Sequence, residues 1–341
     1  MLAPASRRLV GWVSITLLPM LGCGGPPSAS SEAEAGESDE VGESESESES
    51  SSTTNGDEIP SGGPNELDIP EADPPELDPM VVMTFNVLCS FCDDTYDPWD
   101  ERVPYIADTI GRHAPDLLGL QELFTADEVQ QLLALLPEYD VLFYSDDTSD
   151  YADATIGWRA DRYSLVDSGF YWLSPAPDLP FSVGFASPQF PRLVAWAQLH
   201  ELATGAELLF VDTHFDNNTP SQELSAPLLL ERTANQAGTL PIIVVGDFNS
   251  QPDSAAYAIL TGGVDGQGFA LTNSFDLAPT WTVESNQDPV PPYDPATRID
   301  HVFVAGGNWS APTWTVDTWV YGASDKHTSD HFAIAVALEP G

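Results

Sequence analysis

The chain has 341 residues, 42% of them hydrophobic and 10% aromatic, with nine tryptophans, which is enough apolar material for a large core. Ten basic residues stand against 54 acidic ones, a formal charge of −44. Phosphate neutralisation by Lys and Arg supplies much of the affinity of nucleic-acid binders, so this balance argues against long DNA or RNA as a routine ligand. An acid-rich, lysine-poor surface also keeps a protein soluble where salt screens its self-repulsion.

Residues 1–23 read as an export signal: Arg7 and Arg8, the apolar run Leu9 to Leu21, then Gly22-Cys23. The run is short for a membrane span. Met20-Leu21-Gly22-Cys23 resembles a bacterial lipobox, which implies cleavage before Cys23, acylation of that cysteine, and an outer-membrane or cell-surface lipoprotein. An ordinary signal peptide and a secreted product is the alternative. Residues 24–79 carry almost no large apolar groups and include the run Glu43 to Ser50 of alternating Glu and Ser. Such a segment cannot bury enough surface to offset its ordering entropy, and like charges extend it. It is expected to be a disordered acidic tether ahead of a catalytic domain at 80–341.

Val81–Val87 has the pattern of a strand, with Asn86 near its end. Cys89 and Cys92 follow as Cys-x-x-Cys in a loop-like context, where an exported chain is expected to form a local disulfide; a free thiol pair and a redox motif are the alternatives. Trp99–His113 predicts an amphipathic helix with Val103, Ile106 and Ile110 on one face. Asp116–Leu120 predicts a buried strand running into Gln121-Glu122, and Thr125-Ala126-Asp127-Glu128 a capping box that opens a helix through Leu136. Strand-like runs follow at Tyr139–Tyr144, Ala154–Arg159, Tyr163–Leu173, Arg192–Leu202 and Glu207–Phe215. A helix is expected over Ser221–Ala237, kinked or starting late at Pro227. Ile242–Val245 is a β-branched run that reads as a strand buried on both faces; it stops at Gly246-Asp247-Phe248-Asn249. A short helix at Ser254–Leu260 and strands near Ile299–Val304, Thr313–Val320 and Phe332–Leu338 complete the chain. Antiparallel pairs alternating with crossover helices indicate a mixed α/β architecture with more than one sheet.

Polar residues close these apolar runs or lie just beyond them: Asn86, Glu122, Asp212, His214, Asp247, Asn249, Asp300, Asp330 and His331. Carboxylates and carboxamides without clustered thiols favour a hard cation, Mg²⁺ or Mn²⁺, over zinc. Such an ion can hold a phosphoryl oxygen while a His or Asp handles an attacking water. His113, His200 and His301 are read as structural, His301 pointing to the opposite face from Asp300; His327 is a possible addition to the site. Arg159 and Arg232 are candidate contacts for a substrate anion, with ion pairing as the alternative reading; Arg192 is another of the chain's few bases.

The segments Thr84-Phe85-Asn86, Leu120-Gln121-Glu122, Asp212-Thr213-His214-Phe215-Asp216, Gly246-Asp247-Phe248-Asn249-Ser250, Arg298-Ile299-Asp300-His301 and Ser329-Asp330-His331 resemble, in order, the motifs of the endonuclease/exonuclease/phosphatase superfamily. Gly246 to Ser254 is similar to its deadenylase-like branch. The resemblance implies a four-layer α/β/β/α sandwich of two mixed sheets flanked by helices. It implies that Glu122 is the main ligand of a Mg²⁺ or Mn²⁺ ion, with Asn86 and Asp330 completing or supporting the site. It further implies that Asp247 orients or deprotonates water, that Asn249 and His214 hold the phosphate, and that Asp300 positions His331 at the transition state. The expected function is metal-dependent phosphodiester hydrolysis. Substrates left open are a small nucleotide or sugar phosphate, a nucleic acid cleaved by an extracellular nuclease, and a phospholipid headgroup cleaved in the manner of a sphingomyelinase. The membrane is expected to be met through a lipid anchor, and no obligate protein partner is expected. A non-catalytic binding module is the reading of a different class.

Overall fold

A computed structural model describes residues 75–145, 153–185, 190–264 and 268–341. The export signal, Cys23 and residues 24–74 of the expected tether lie outside the described residues. Among the described residues no helix is long and apolar enough to cross a membrane.

In chain order the elements are β1 (Met80–Asn86), α1 (Trp99–His113), β2 (Leu117–Gln121), α2 (Ala126–Leu135), β3 (Tyr139–Leu142), β4 (Ala154–Arg159) and β5 (Tyr163–Trp172). There follow β6 (Leu193–Glu201), β7 (Glu207–His214), α3 (Thr219–Ala237), β8 (Ile242–Asp247), α4 (Ala255–Gly262), β9 (Thr272–Asn273) and α5 (Ser274–Leu277). The last strands are β10 (Trp281–Glu284), β11 (Asp300–Ala305), β12 (Trp309–Asp317) and β13 (Ala333–Pro340). They form a seven-stranded sheet, β10-β12-β13-β1-β2-β4-β3, and a six-stranded sheet, β5-β6-β7-β8-β11-β9.

Alternation along the strands builds four layers, because successive side chains leave opposite faces. Val82, Leu117 and Ile156 of the first sheet meet Phe210, Ile243, Val245 and Val302 of the second in an inner core. The intervening residues face outward: Met83 and Leu118 pack under Ile106, Ile110, Val129 and Leu132 of α1 and α2, and Val211, Val244 and Phe303 under Leu229, Leu230 and Leu260 of α3 and α4. Strands buried on both faces thus explain the continuous apolar runs.

The sheets approach closely at Gly119. A Cβ there would lie 2.3 Å from Val245 Cγ2 and 2.7 Å from Asp212 Oδ1. Gly246 serves the same end between neighbouring strands: its φ is +153°, and a Cβ would sit 2.0 Å from the carbonyl oxygen of Thr213.

Two expectations need correction. α3 starts at Thr219, with Pro220 in its first turn where a missing N–H costs nothing, and runs on through Pro227, so Pro227 does not delay the start. β12 begins at Trp309 rather than Thr313; Pro312 is accommodated because the pairing with β13 shifts register between Ser310 and Thr313. The short elements β9, α5 and β10 lie in a stretch whose sequence has no clear periodicity, and they were not foreseen.

Gly119→Ala is expected to lower stability by about 1–3 kcal/mol or to prevent folding, since neither the valine nor the carboxylate it meets can withdraw without opening the inter-sheet core. Urea unfolding measures this, and an unchanged midpoint would contradict so close a contact.

Candidate active site

The topology brings one end of each of eight strands together. The carboxyl ends of β1, β2, β7 and β8 and the amino ends of β4, β6, β11 and β13 lie along one edge of the sandwich, as the registers Asn86↔Gln121, Gln121↔Ala154, His214↔Asp247 and Asp300↔Asp247 require. Polar residues placed where these strands stop therefore converge, although they are separated by up to 245 positions between Asn86 and His331.

Asp247 is at the centre. It is 1% exposed, and its Oδ2 is 3.1 Å from Asn86 Nδ2, 3.3 Å from His214 Nε2 and 3.5 Å from His331 Nε2. Its Oδ1 accepts from the backbone N–H of Asn249 at 2.8 Å, an Asx turn that aims both residues of Asp-x-Asn into the cleft. Burial alone would push the Asp247 carboxyl up; the facing charges of His214 and His331 outweigh it and hold the group well below the usual carboxylate range.

Each imidazole is backed by a second carboxylate. His331 Nδ1 lies 2.9 Å from Asp300 Oδ2; burial opposes its charge, but Asp300 and Asp247 raise its pKa to about 11. His214 Nδ1 lies 2.9 Å from Asp153 Oδ1, and Arg192 Nη1 donates to Asp153 Oδ2 at 2.7 Å. Burial and the neighbouring Arg192 disfavour protonation of His214, yet Asp153 and Asp247 bring its pKa to about 9. Arg192 Nη1 is also 3.0 Å from His214 Nδ1; two cations tolerate that spacing because one carboxylate faces both.

Beside this line, Glu122 is half-buried. Its Oε1 accepts from Asn86 Nδ2 at 3.1 Å and its Oε2 from the backbone N–H of Cys89 at 3.0 Å. Asn86 thus holds two carboxylates with one amide, while its Oδ1 accepts from Leu88 N–H at 3.0 Å. Asn249 Nδ2 donates to the carbonyl of Phe215 at 2.9 Å and lies 3.2 Å from His214 Nε2. Three non-glycine residues just beyond strand ends have left-handed backbones: Leu88 (φ +56°), Glu122 (φ +64°) and Asn249 (φ +47°). Such conformations cost of order 1–3 kcal/mol each and gather where the surrounding structure uses them.

Arg102 of α1 secures this corner. It is 1% exposed and donates to the carbonyls of Asp97, Val87, Leu88, Cys89 and Thr328. One guanidinium thereby ties the loop after β1 to the segment that carries Ser329, Asp330 and His331. Cys89 and Cys92 form a disulfide, so the grouping of their sulfurs with Glu122 is not a thiolate metal site. Asp247, Asp300 and His331 have ligand atoms within 4.8 Å of one another, and with the oxygen donor Glu122 nearby through Asn86 the donor set suits a hard divalent cation.

The structure brings together Asn86, Glu122, His214, Asp247, Asn249, Asp300 and His331, with Asp330 beside them. It does not bring in Arg159, which pairs with Asp161 at 2.9 Å at the far end of β4, opposite Tyr139. Arg232 is likewise engaged by Asp178 at 2.9 Å on α3. Both follow the ion-pair alternative, as expected of scarce bases among many acids. Asp212 shares a face with His214 but lies one layer deeper: it bridges the sheets, accepting from Gln121 Nε2 at 2.6 Å and Thr155 N–H at 3.0 Å, and burial holds its carboxyl well above the usual range. His327 packs edge-on against Phe332. Sequence reasoning missed the roles of Asp153, Arg192 and Arg102; the signal available was position, since the first two stand immediately before β4 and β6.

His301 does face away from the cleft. Its Nε2 donates to the carbonyl of Ser250 at 2.9 Å and its Nδ1 accepts from Asn273 at 3.0 Å, and burial lowers its pKa to about 3.

Comparison with known proteins agrees with this geometry. A family model described as Endonuclease/Exonuclease/phosphatase family matches residues 83–331. Nocturnin from Xenopus laevis is 26% identical over 201 residues, 52% of this chain and 49% of that protein, so the chain spans about half the length of this curated relative. Among solved structures, a mannosyl-6-phosphatase from Bacteroides thetaiotaomicron is 28% identical and aligns with a TM-score of 0.66, covering 76% of this chain and 99% of that one. The human Nocturnin catalytic domain with bound sulfate, 19% identical with a TM-score of 0.58 over 77% of this chain and 94% of that one, shares the fold.

The neutral His301 sets an acid limit on stability. Its folded pKa lies below the ordinary 6.5, so the unfolded chain binds the extra proton first. The stability it supports is complete above pH 6.5 and is lost as pH falls towards 3, at about 1.4 kcal/mol per pH unit. Chemical denaturation between pH 7 and 4 should show a slope about one proton shallower in His301→Gln; identical slopes would refute the assignment.

Proposed function

The chain belongs to the endonuclease/exonuclease/phosphatase family, and from that premise we propose that it is a phosphoester hydrolase that uses Mg²⁺ or Mn²⁺ and attacks phosphorus with water. The observation that carries this reading is the single buried oxygen, Asp247 Oδ2, faced by Asn86, His214 and His331. A binding surface has no use for an anionic carboxylate between two imidazoliums; a proton-transfer centre does.

Glu122 and Asp330 would hold the divalent ion, which supplies charge neutralisation at a phosphoryl oxygen. The chain's own residues do the rest. Asp247, anionic and fixed by Asn86 and the Asn249 N–H, orients the attacking water by accepting a hydrogen bond from it. His331, protonated through Asp300, presents Nε2–H as a cationic donor to the charge that develops on phosphorus or to the leaving oxygen. His214 and Asn249 bind the non-bridging oxygens, and Asp153 with Arg192 keeps the His214 ring in place. Asn86 acts by orienting Glu122.

The mannosyl-6-phosphatase likeness supports small phosphoesters as substrates, and the −44 charge weighs against long polynucleotides. The pattern of residues 1–23 supports export, with Cys23 as the acylated residue of a surface-anchored enzyme.

The full chain should hydrolyse bis(p-nitrophenyl) phosphate or a nucleotide ester with Mg²⁺ or Mn²⁺ and lose this in EDTA. His331→Ala should lower kcat by roughly 10²–10⁴. Glu122→Gln should abolish Mg²⁺ binding by calorimetry while circular dichroism stays unchanged. Full turnover in His331→Ala would remove the mechanism, and undiminished Mg²⁺ binding in Glu122→Gln would remove the metal assignment.

A further inference from the structure

Among the described residues Phe91 is the most exposed of the large apolar side chains, at 69%. A solitary exposed phenylalanine needs no explanation in general. This one differs in how firmly it is held and where. It stands inside the loop closed by the Cys89–Cys92 disulfide. Arg102 binds the carbonyls on the Leu88-Cys89 side of that loop, and the Cys89 N–H is fixed on Glu122 Oε2. Its ring stacks on Phe124, with centroids 5.7 Å apart and planes inclined by 27°. Phe124 is two residues beyond Glu122 and Phe91 two beyond Cys89, so the stacked pair flanks the carboxylate assigned to the metal. A loop this constrained has already lost its conformational freedom, so a ligand that contacts it pays little further ordering entropy.

We infer that Phe91 is a specificity-determining platform that stacks on the planar base of a nucleotide-sized phosphoester. The inference rests on the phosphoester-hydrolase reading and names its substrate class. Charge argues for this chemistry. A chain of −44 gains no long-range attraction for a phosphate ester, so affinity beyond the phosphorus centre has to come from contacts that do not depend on charge. Stacking of a base on an aromatic ring is of that kind and tolerates any base. The geometry also limits the ligand: one platform beside one phosphoryl position suits a single nucleotide better than a polymer needing a continuous basic groove.

The test is calorimetric titration, in Mg²⁺, of the non-hydrolysable phosphonate analogues (methylene in place of the bridging ester oxygen) of adenosine 5′-monophosphate and of mannose 6-phosphate into the full chain and its Phe91→Ala, Phe91→Leu and Phe91→Trp variants. Phe91→Ala and Phe91→Leu are expected to weaken the nucleotide about tenfold and Phe91→Trp to restore it, while affinity for the sugar phosphate shifts by less than twofold. Steady-state KM for a nucleotide ester should follow the same order, with kcat nearly constant. Undiminished nucleotide affinity in Phe91→Ala, no nucleotide binding by the unaltered chain, or equal weakening of both ligands would overturn the inference; the last would mean that the loop acts only by holding Glu122. Failure of the unaltered chain to hydrolyse any phosphoester with Mg²⁺ or Mn²⁺ would instead sink the hydrolase reading, and the titrations with the phosphonate analogues would still decide whether Phe91 stacks.

Discussion

The site depends on keeping Asp247 ionised where almost no water reaches it. A carboxylate buried to this degree takes up a proton unless opposite charge is fixed against it. Two imidazoliums do this, and each would be expelled or neutralised without a carboxylate of its own. The outcome is an alternating line, Arg192 and Asp153, His214, Asp247, His331, Asp300, whose formal charges cancel. Removal of any member strands a neighbour, so the line has to be assembled as a whole.

The fold makes that assembly possible because no single segment carries more than two members. Asp153 and Arg192 come from residues leading into β4 and β6, His214 and Asp247 from the ends of adjacent parallel strands, Asp300 from the start of the antiparallel neighbour, and His331 from the approach to β13 in the other sheet. The last contact, His331 to Asp247, crosses from one sheet to the other, as does Asn86 to Asp247. Its span is therefore set by inter-sheet separation, which depends on Gly119 giving Val245 and Asp212 room. A glycine in the core and a proton position in the cleft are linked through one distance.

Much of this was legible in the chain. Each catalytic candidate interrupts a β-branched or apolar run, and such an interruption marks where a strand leaves the core, which is where ligands collect in layered α/β folds. Asp212 closes such a run too, and strand periodicity does not separate it from His214, because it gives the face of a residue but not its depth: the two share a face, yet only His214 reaches the edge. Asp153 stayed hidden for the opposite reason. It follows an acidic run, Asp146, Asp147 and Asp150, and nothing local distinguishes the carboxylate that pairs with His214 from those around it. Arg102 was invisible because its partners are backbone carbonyls, which carry no sequence identity.

The scarcity of cations gives the metal assignment its physical reason. Among the described residues every basic side chain is already committed. Arg112 holds Asp317, Arg159 holds Asp161, Arg162 holds Asp116 and Glu201, Arg192 holds Asp153, Arg232 holds Asp178 and Lys326 holds Asp97. Arg102 and Arg298 are spent on backbone carbonyls. No arginine remains to clamp a phosphoryl group in the way arginine-rich phosphate sites do. The imidazolium of His331 is balanced by Asp300, and that of His214 by Asp153. A phosphate entering this cleft therefore meets a pit whose own charges sum to zero, with the carboxylate of Glu122 at its side. That carboxylate would repel a phosphate unless a divalent cation bound to it. In a protein this acidic, the proposed divalent ion would turn an anion-repelling edge into an anion-binding one.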